Sequence, residues 1–121
     1  MRPMSGTTTL ELPRRAGSAS IARLIVSAHG AGLPPERLKS ANLMVSELVS
    51  NAYQHGSGRI ELCVHSGSEG IRASVQDEGI GNTIATRDPR PERGGWGLVF
   101  VDRLADSWGV DASRVWFQVA A

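Results

Sequence analysis

Two β-prone runs, Arg59 to His65 and Ile71 to Gln76, are joined only by Ser66-Gly67-Ser68-Glu69-Gly70. So short a link pairs strands antiparallel, because a parallel crossover needs about a dozen residues or more. Ile60, Leu62 and Val64 alternate in the first run and Ile71, Ala73 and Val75 in the second, so each strand has one apolar face. That face needs a cover, and the sequence before the hairpin provides one. Ser18 to His29 carries Ile21, Leu24, Ile25 and Ala28 at helical spacing and stops at Gly30 and Gly32. Pro34 and Pro35 suit the first turn of a second helix, whose Leu38, Ala41, Val45, Leu48, Val49 and Ala52 run on to His55 and Gly56.

Thr7 to Leu12 reads as an edge strand halted by Pro13, and Gly97 to Trp108 as a third helix on Leu98, Val101, Leu104 and Ala105. Ser113 to Val119 closes the chain as a strand with Val115, Phe117 and Val119 alternating. The order β, α, α, β, β, loop, α, β predicts an α+β two-layer sandwich: a mixed, mostly antiparallel sheet covered on one face by three helices. A doubly wound parallel sheet is excluded by the hairpin. The 121 residues are close to the usual size of one domain, with 1–6 as a loose leader and 7–121 as the folded unit.

Thirteen basic residues against twelve acidic ones leave a formal net charge of +1, too weak a field to gather nucleic acid or an anionic membrane. Neither is an expected partner. The one cysteine, Cys63, permits no internal disulfide, and no run reaches the roughly 20 apolar residues of a membrane span. A cytoplasmic location is expected. Cys63, between apolar neighbours, reads as a core residue, Trp108 and Trp116 as packed on apolar faces, and His29 and His65 as surface or capping residues.

Three clusters could carry chemistry. Glu47, Asn51 and His55, each four residues from the next, line one ridge of the long helix beside its apolar stripe. Asp77-Glu78-Gly79-Ile80-Gly81 stands where a strand runs into a loop; its glycines admit close approach of a flat or phosphorylated ligand, and its acid can accept from an amino group. Gly94-Gly95-Trp96-Gly97-Leu98 stands at a helix start, where bare backbone amides attract phosphate. The stretch from Asp77 to Gly97, with two prolines and three arginines, reads as a loop of ~20 residues, longer than a mere connector. Alone, these features also read as a solvated helix flank, a glycine-rich turn and a glycine-rich helix start, with His55 as cap or ligand contact.

Together and in this order they resemble the N box and the two glycine boxes of the Bergerat-fold ATP-binding superfamily, which includes gyrases, chaperones, histidine kinases and mismatch-repair ATPases. The chain is most similar to the small anti-sigma-factor serine/threonine kinases, with the likeness best over Ser46 to Gly56, Asp77 to Gly81 and Gly94 to Gly109. The resemblance implies ATP and Mg2+ as cofactors, with Asn51 holding the magnesium ion and Glu47 as the catalytic carboxylate that orients or deprotonates the attacking hydroxyl. It implies that Asp77 accepts from the adenine amino group, that Gly79 and Gly81 shape the base pocket, and that Gly95, Gly97 and Leu98 bring the lid and helix start onto the phosphates. Arg93, with Arg87 and Arg90, would supply lid cations.

The implied partners are a sigma factor and an antagonist protein whose Ser or Thr receives the γ-phosphate, and a homodimer is expected because such kinases often form one. Two departures stand against the family pattern. Trp96 occupies a place often basic or polar, and Ala112-Ser113-Arg114 replaces a common Gly-Lys-Thr whose hydroxyl lies near the adenine. They motivate the alternative of a partner-binding regulator on the same fold without kinase activity.

Overall fold

The computed structural model describes residues 5–79 and 96–121, with side chains in the second segment from 99 onward. The elements run β1 (Gly6–Leu12), α1 (Ser18–His29), α2 (Pro35–His55), β2 (Ile60–Gly67), β3 (Gly70–Gln76), α3 (Trp96–Leu104), β4 (Ser107–Asp111) and β5 (Arg114–Ala120). The sheet order is β1-β2-β3-β5-β4, and every described pair is antiparallel, so the parallel component allowed for in the expected sheet is not found among them. The predicted α+β sandwich is present.

The inward face is built row by row. Leu62 pairs Val75 and Val75 pairs Val115; in the next row Val64 pairs Ala73 and Ala73 pairs Phe117. All of these are fully buried. Over them lie Ala41, Met44, Val45, Leu48, Val49 and Ala52 of α2, Ala22 and Val26 of α1, and Val101 of α3. Side chains at three- and four-residue spacing make one helix face, which is why the same residues that mark α2 in the sequence also build the core. Pro35 opens α2, where a missing N–H costs nothing. The start of α2 is tied to the far end of the sheet, since Arg37 donates Nε–H to the Ala120 carbonyl at 2.8 Å and pairs with Asp106.

Four sequence expectations are corrected. The third helix ends at Leu104, and Trp108 lies in β4, an edge strand the sequence reading absorbed into the helix. Cys63 points to the open face of the sheet, where Thr9 Oγ1 donates to its sulfur at 3.4 Å, because Leu62 and Val64 on either side take the inward positions. Trp116 is on that open face too, beneath the Arg72 guanidinium at 3.9 Å. Trp108, in contrast, packs against the core as expected. His29 is neither surface nor cap: it is buried, with Nε2 2.8 Å from Thr8 Oγ1 and Nδ1 2.6 Å from Ser66 Oγ.

Burial, with a smaller contribution from the nearby charge of His65, holds the His29 pKa below its ordinary 6.5. The unfolded chain therefore binds a proton at His29 more readily than the fold does. Stability is full above 6.5 and falls as pH drops from there toward the lowered folded value. His29→Asn should cost about 1–2 kcal/mol near neutral pH through the lost hydroxyl bonds. It should also lose less stability than wild type on acidification to about pH 5, read by urea unfolding. An equal acid loss in both proteins would sink this account.

Candidate functional site

Glu47 and Asn51 project from α2 one turn apart, as the spacing required. Asn51 is buried at 7% exposure, unusual for a carboxamide so close to the end of a helix. Glu47 is half-buried, and desolvation pushes its carboxyl above the ordinary value of 4.5. A carboxylate so placed is a better proton acceptor than one in free water.

The end of this helix leads to the second cluster. At Gly56 the chain turns away with its N–H donated to the Ala52 carbonyl at 3.0 Å. A Cβ on Gly56 would lie 2.0 Å from Asp77 Oδ2 and 2.7 Å from the Ala52 oxygen. The Asp77 carboxyl thus rests directly on bare backbone. Asp77 is 2% exposed, its Oδ1 accepts the Gly79 N–H at 2.8 Å, and its own N–H donates to the Ser113 carbonyl at 3.3 Å. Glu78 N–H donates to Ser57 O at 2.8 Å, so the turn after α2 and the segment after β3 are laced together. Gly58, at φ +69°, faces Glu78 closely enough that a Cβ would meet it at 2.6 Å.

Asp77 and Gly79 are joined directly, and α2, which carries Glu47 and Asn51, ends against Asp77 at Gly56. Gly97 and Leu98 fall within the first turn of α3, as expected, with the helix beginning one residue earlier at Trp96 and packing on α2. Gly81, Gly95 and Arg93, like Arg87 and Arg90, lie outside the described residues. His55 is exposed, and the cap it was offered for is made by Arg14, which donates to the Ala52, Tyr53 and Gly58 carbonyls.

Sequence reasoning missed two residues here. Gly56 reads in the sequence only as the end of the long helix, and Arg14 carries no signal beyond following Pro13. Ser113, within the stretch that stands in for Gly-Lys-Thr, meets Asp77 through its main-chain carbonyl, at the tip of the β4–β5 turn. That turn is tight enough to hold Ala112 at φ 53°, a backbone region that suits glycine better.

The chemistry of this donor set can be stated without a ligand in place. A buried carboxamide oxygen suits a hard, hydrated cation, and a carboxylate walled by Gly56 and Gly79 can accept from the edge of a flat heterocycle. Glu47 lies one turn from Asn51 with its affinity for a proton raised. A cavity of about 280 Å³ lined by Ser5, His29, Leu33, Ser66 and Ile71 opens at the other end of β2 and β3, away from these groups.

A family model described as a histidine kinase-like ATPase domain matches residues 12–117. A search of the curated proteins found no match. Among the described residues no helix is long and apolar enough to cross a membrane.

Proposed function

The chain belongs to the histidine kinase-like ATPase domain family, an ATP-binding fold, and from that premise we propose that it is an anti-sigma factor with serine/threonine protein kinase activity. In this reading it passes the γ-phosphate of magnesium ATP to a Ser or Thr hydroxyl of an antagonist protein and so frees or captures a sigma factor. The observation that carries the reading is the meeting of the helix bearing Glu47 and Asn51 with the Asp77 carboxyl across Gly56.

Asn51 would hold the magnesium ion through its carboxamide oxygen, and Asp77 would accept from the adenine amino group, with Gly79 and Gly81 leaving the base room. Arg93 and the backbone of Gly95, Gly97 and Leu98 would face the phosphates. Bound magnesium ATP supplies the phosphoryl group and the charge neutralisation that its transfer needs. The protein's own contribution at the acceptor is Glu47, whose carboxylate orients the hydroxyl and takes its proton.

Calorimetric titration with ATP and GTP, with and without magnesium, tests the nucleotide site. ATP should bind in a magnesium-dependent way and in preference to GTP. Asn51→Ala and Asp77→Asn should each weaken binding about tenfold, the worth of one charge-assisted hydrogen bond. Absence of binding by the wild type would overturn the kinase reading and leave a partner-binding regulator on this fold, a reading favoured by Ala112-Ser113-Arg114 in place of Gly-Lys-Thr. Pull-down against the host's sigma factors, with none retained, would remove that partner.

A further inference from the structure

We propose that Arg14 is a positioning residue of the nucleotide site, acting through the last turn of α2 without touching the ligand. The inference rests on the nucleotide reading above. Arg14 follows Pro13 at the end of β1, where Leu12 is buried and paired with Ile60, so its backbone starts from a fixed point. From there Nη1 donates to Ala52 O at 2.8 Å and to Tyr53 O at 2.9 Å, while Nε donates to Gly58 O at 2.9 Å.

Two of these acceptors, Ala52 and Gly58, lead to the site. Ala52 follows Asn51 directly, and its carbonyl also receives the Gly56 N–H, so gripping it fixes both the turn that carries the carboxamide and the glycine on which Asp77 rests. Gly58 is the far side of the same turn, and Ser57 between them accepts from Glu78. One guanidinium therefore joins the end of the helix to the turn, and the turn is laced to the Asp77–Gly79 segment.

The side chain chosen fits the task. The final carbonyls of a helix lack intrahelical donors and carry partial negative charge, so any cation is favourable there. Only the planar fork of Arg offers donors in fixed directions to three carbonyls at once; the Lys ammonium would keep the charge and lose the bridge. Arg15, next in the chain, is exposed and provides a matched control.

The test combines amide exchange in the nucleotide-free protein with ATP titration, on wild type, Arg14→Ala, Arg14→Lys and Arg15→Ala. In Arg14→Ala the Glu78 and Gly79 amides should exchange about tenfold faster or more, while the β2–β3 ladder amides keep their protection. ATP affinity should fall about tenfold in Arg14→Ala, recover only partly in Arg14→Lys, and stay unchanged in Arg15→Ala. Unchanged exchange at Glu78 and Gly79 overturns the positioning role whatever the protein binds. Full recovery of affinity by Arg14→Lys overturns it as well, because charge alone would then suffice. A wild type that binds no ATP overturns the nucleotide reading and with it the role as stated, even where the exchange result holds.

Discussion

Glu47→Gln is expected to slow phosphoryl transfer to an antagonist hydroxyl by about 10²–10⁴-fold while leaving ATP affinity within about twofold. Glutamine keeps the length of the side chain and a similar helix propensity, so α2 and the Asn51 beside it should stand unchanged. What is lost is the proton acceptor. Because desolvation raises the Glu47 carboxyl above 4.5, it remains protonated to a higher pH than an exposed glutamate would. The acid limb of the wild-type rate should therefore lie above that value, with activity rising as the carboxyl ionises, and it should vanish in Glu47→Gln. Transfer at the wild-type rate by the variant would remove Glu47 from the chemistry. Lost transfer together with lost ATP binding would give it a structural role instead.

How much of this was visible in the sequence depends on the range of the interaction involved. The Glu47-to-Asn51 ridge was legible because a helix fixes side chains four residues apart, and the α2 stripe was strong enough to make the helix certain. The β2–β3 hairpin was legible for the same local reason. Its register puts Ser66, Gly67 and Gly70 into the strands instead of the loop, leaving only Ser68 and Glu69 to turn.

Misreadings came where two local signals competed. The alternation of Ile60, Leu62 and Val64 already sends Cys63 to the other face, but its apolar character argued for the core. In Ser107–Asp111 the helical spacing of Leu98, Val101, Leu104 and Ala105 carries on to Trp108. What ends the helix is long-range: Asp106 accepts the Ala120 N–H at 2.7 Å and pairs with Arg37. The burial of His29 between Thr8 and Ser66 is likewise set by tertiary contacts across three elements. Arg14 belongs to the same class, since its partners are carbonyls, which every residue has.

Gly56→Ala is expected to weaken ATP binding by about 30–100-fold, more than removal of the Asp77 charge alone, because it displaces two parts of the site together. The backbone at Gly56, φ −85° and ψ −168°, is extended and open to any L residue, so the objection to alanine is purely one of space. The new methyl would lie 2.0 Å from Asp77 Oδ2 and 2.7 Å from Ala52 O, and neither neighbour yields freely. Asp77 is anchored by its bond to Gly79 and its main-chain bond to Ser113, and Ala52 by Arg14. Either the carboxyl swings off its seat or the last turn of α2 retreats, taking Asn51 with it. Gly67→Ala is the control: a Cβ there meets nothing within 4 Å, and ATP affinity should not change. In an Asp77→Ala background the clash loses its main partner, so adding Gly56→Ala should cost much less than it does alone. Equal costs in both backgrounds, read by titration with ATP, would show that Gly56 acts independently of Asp77 and that their contact does not shape the site.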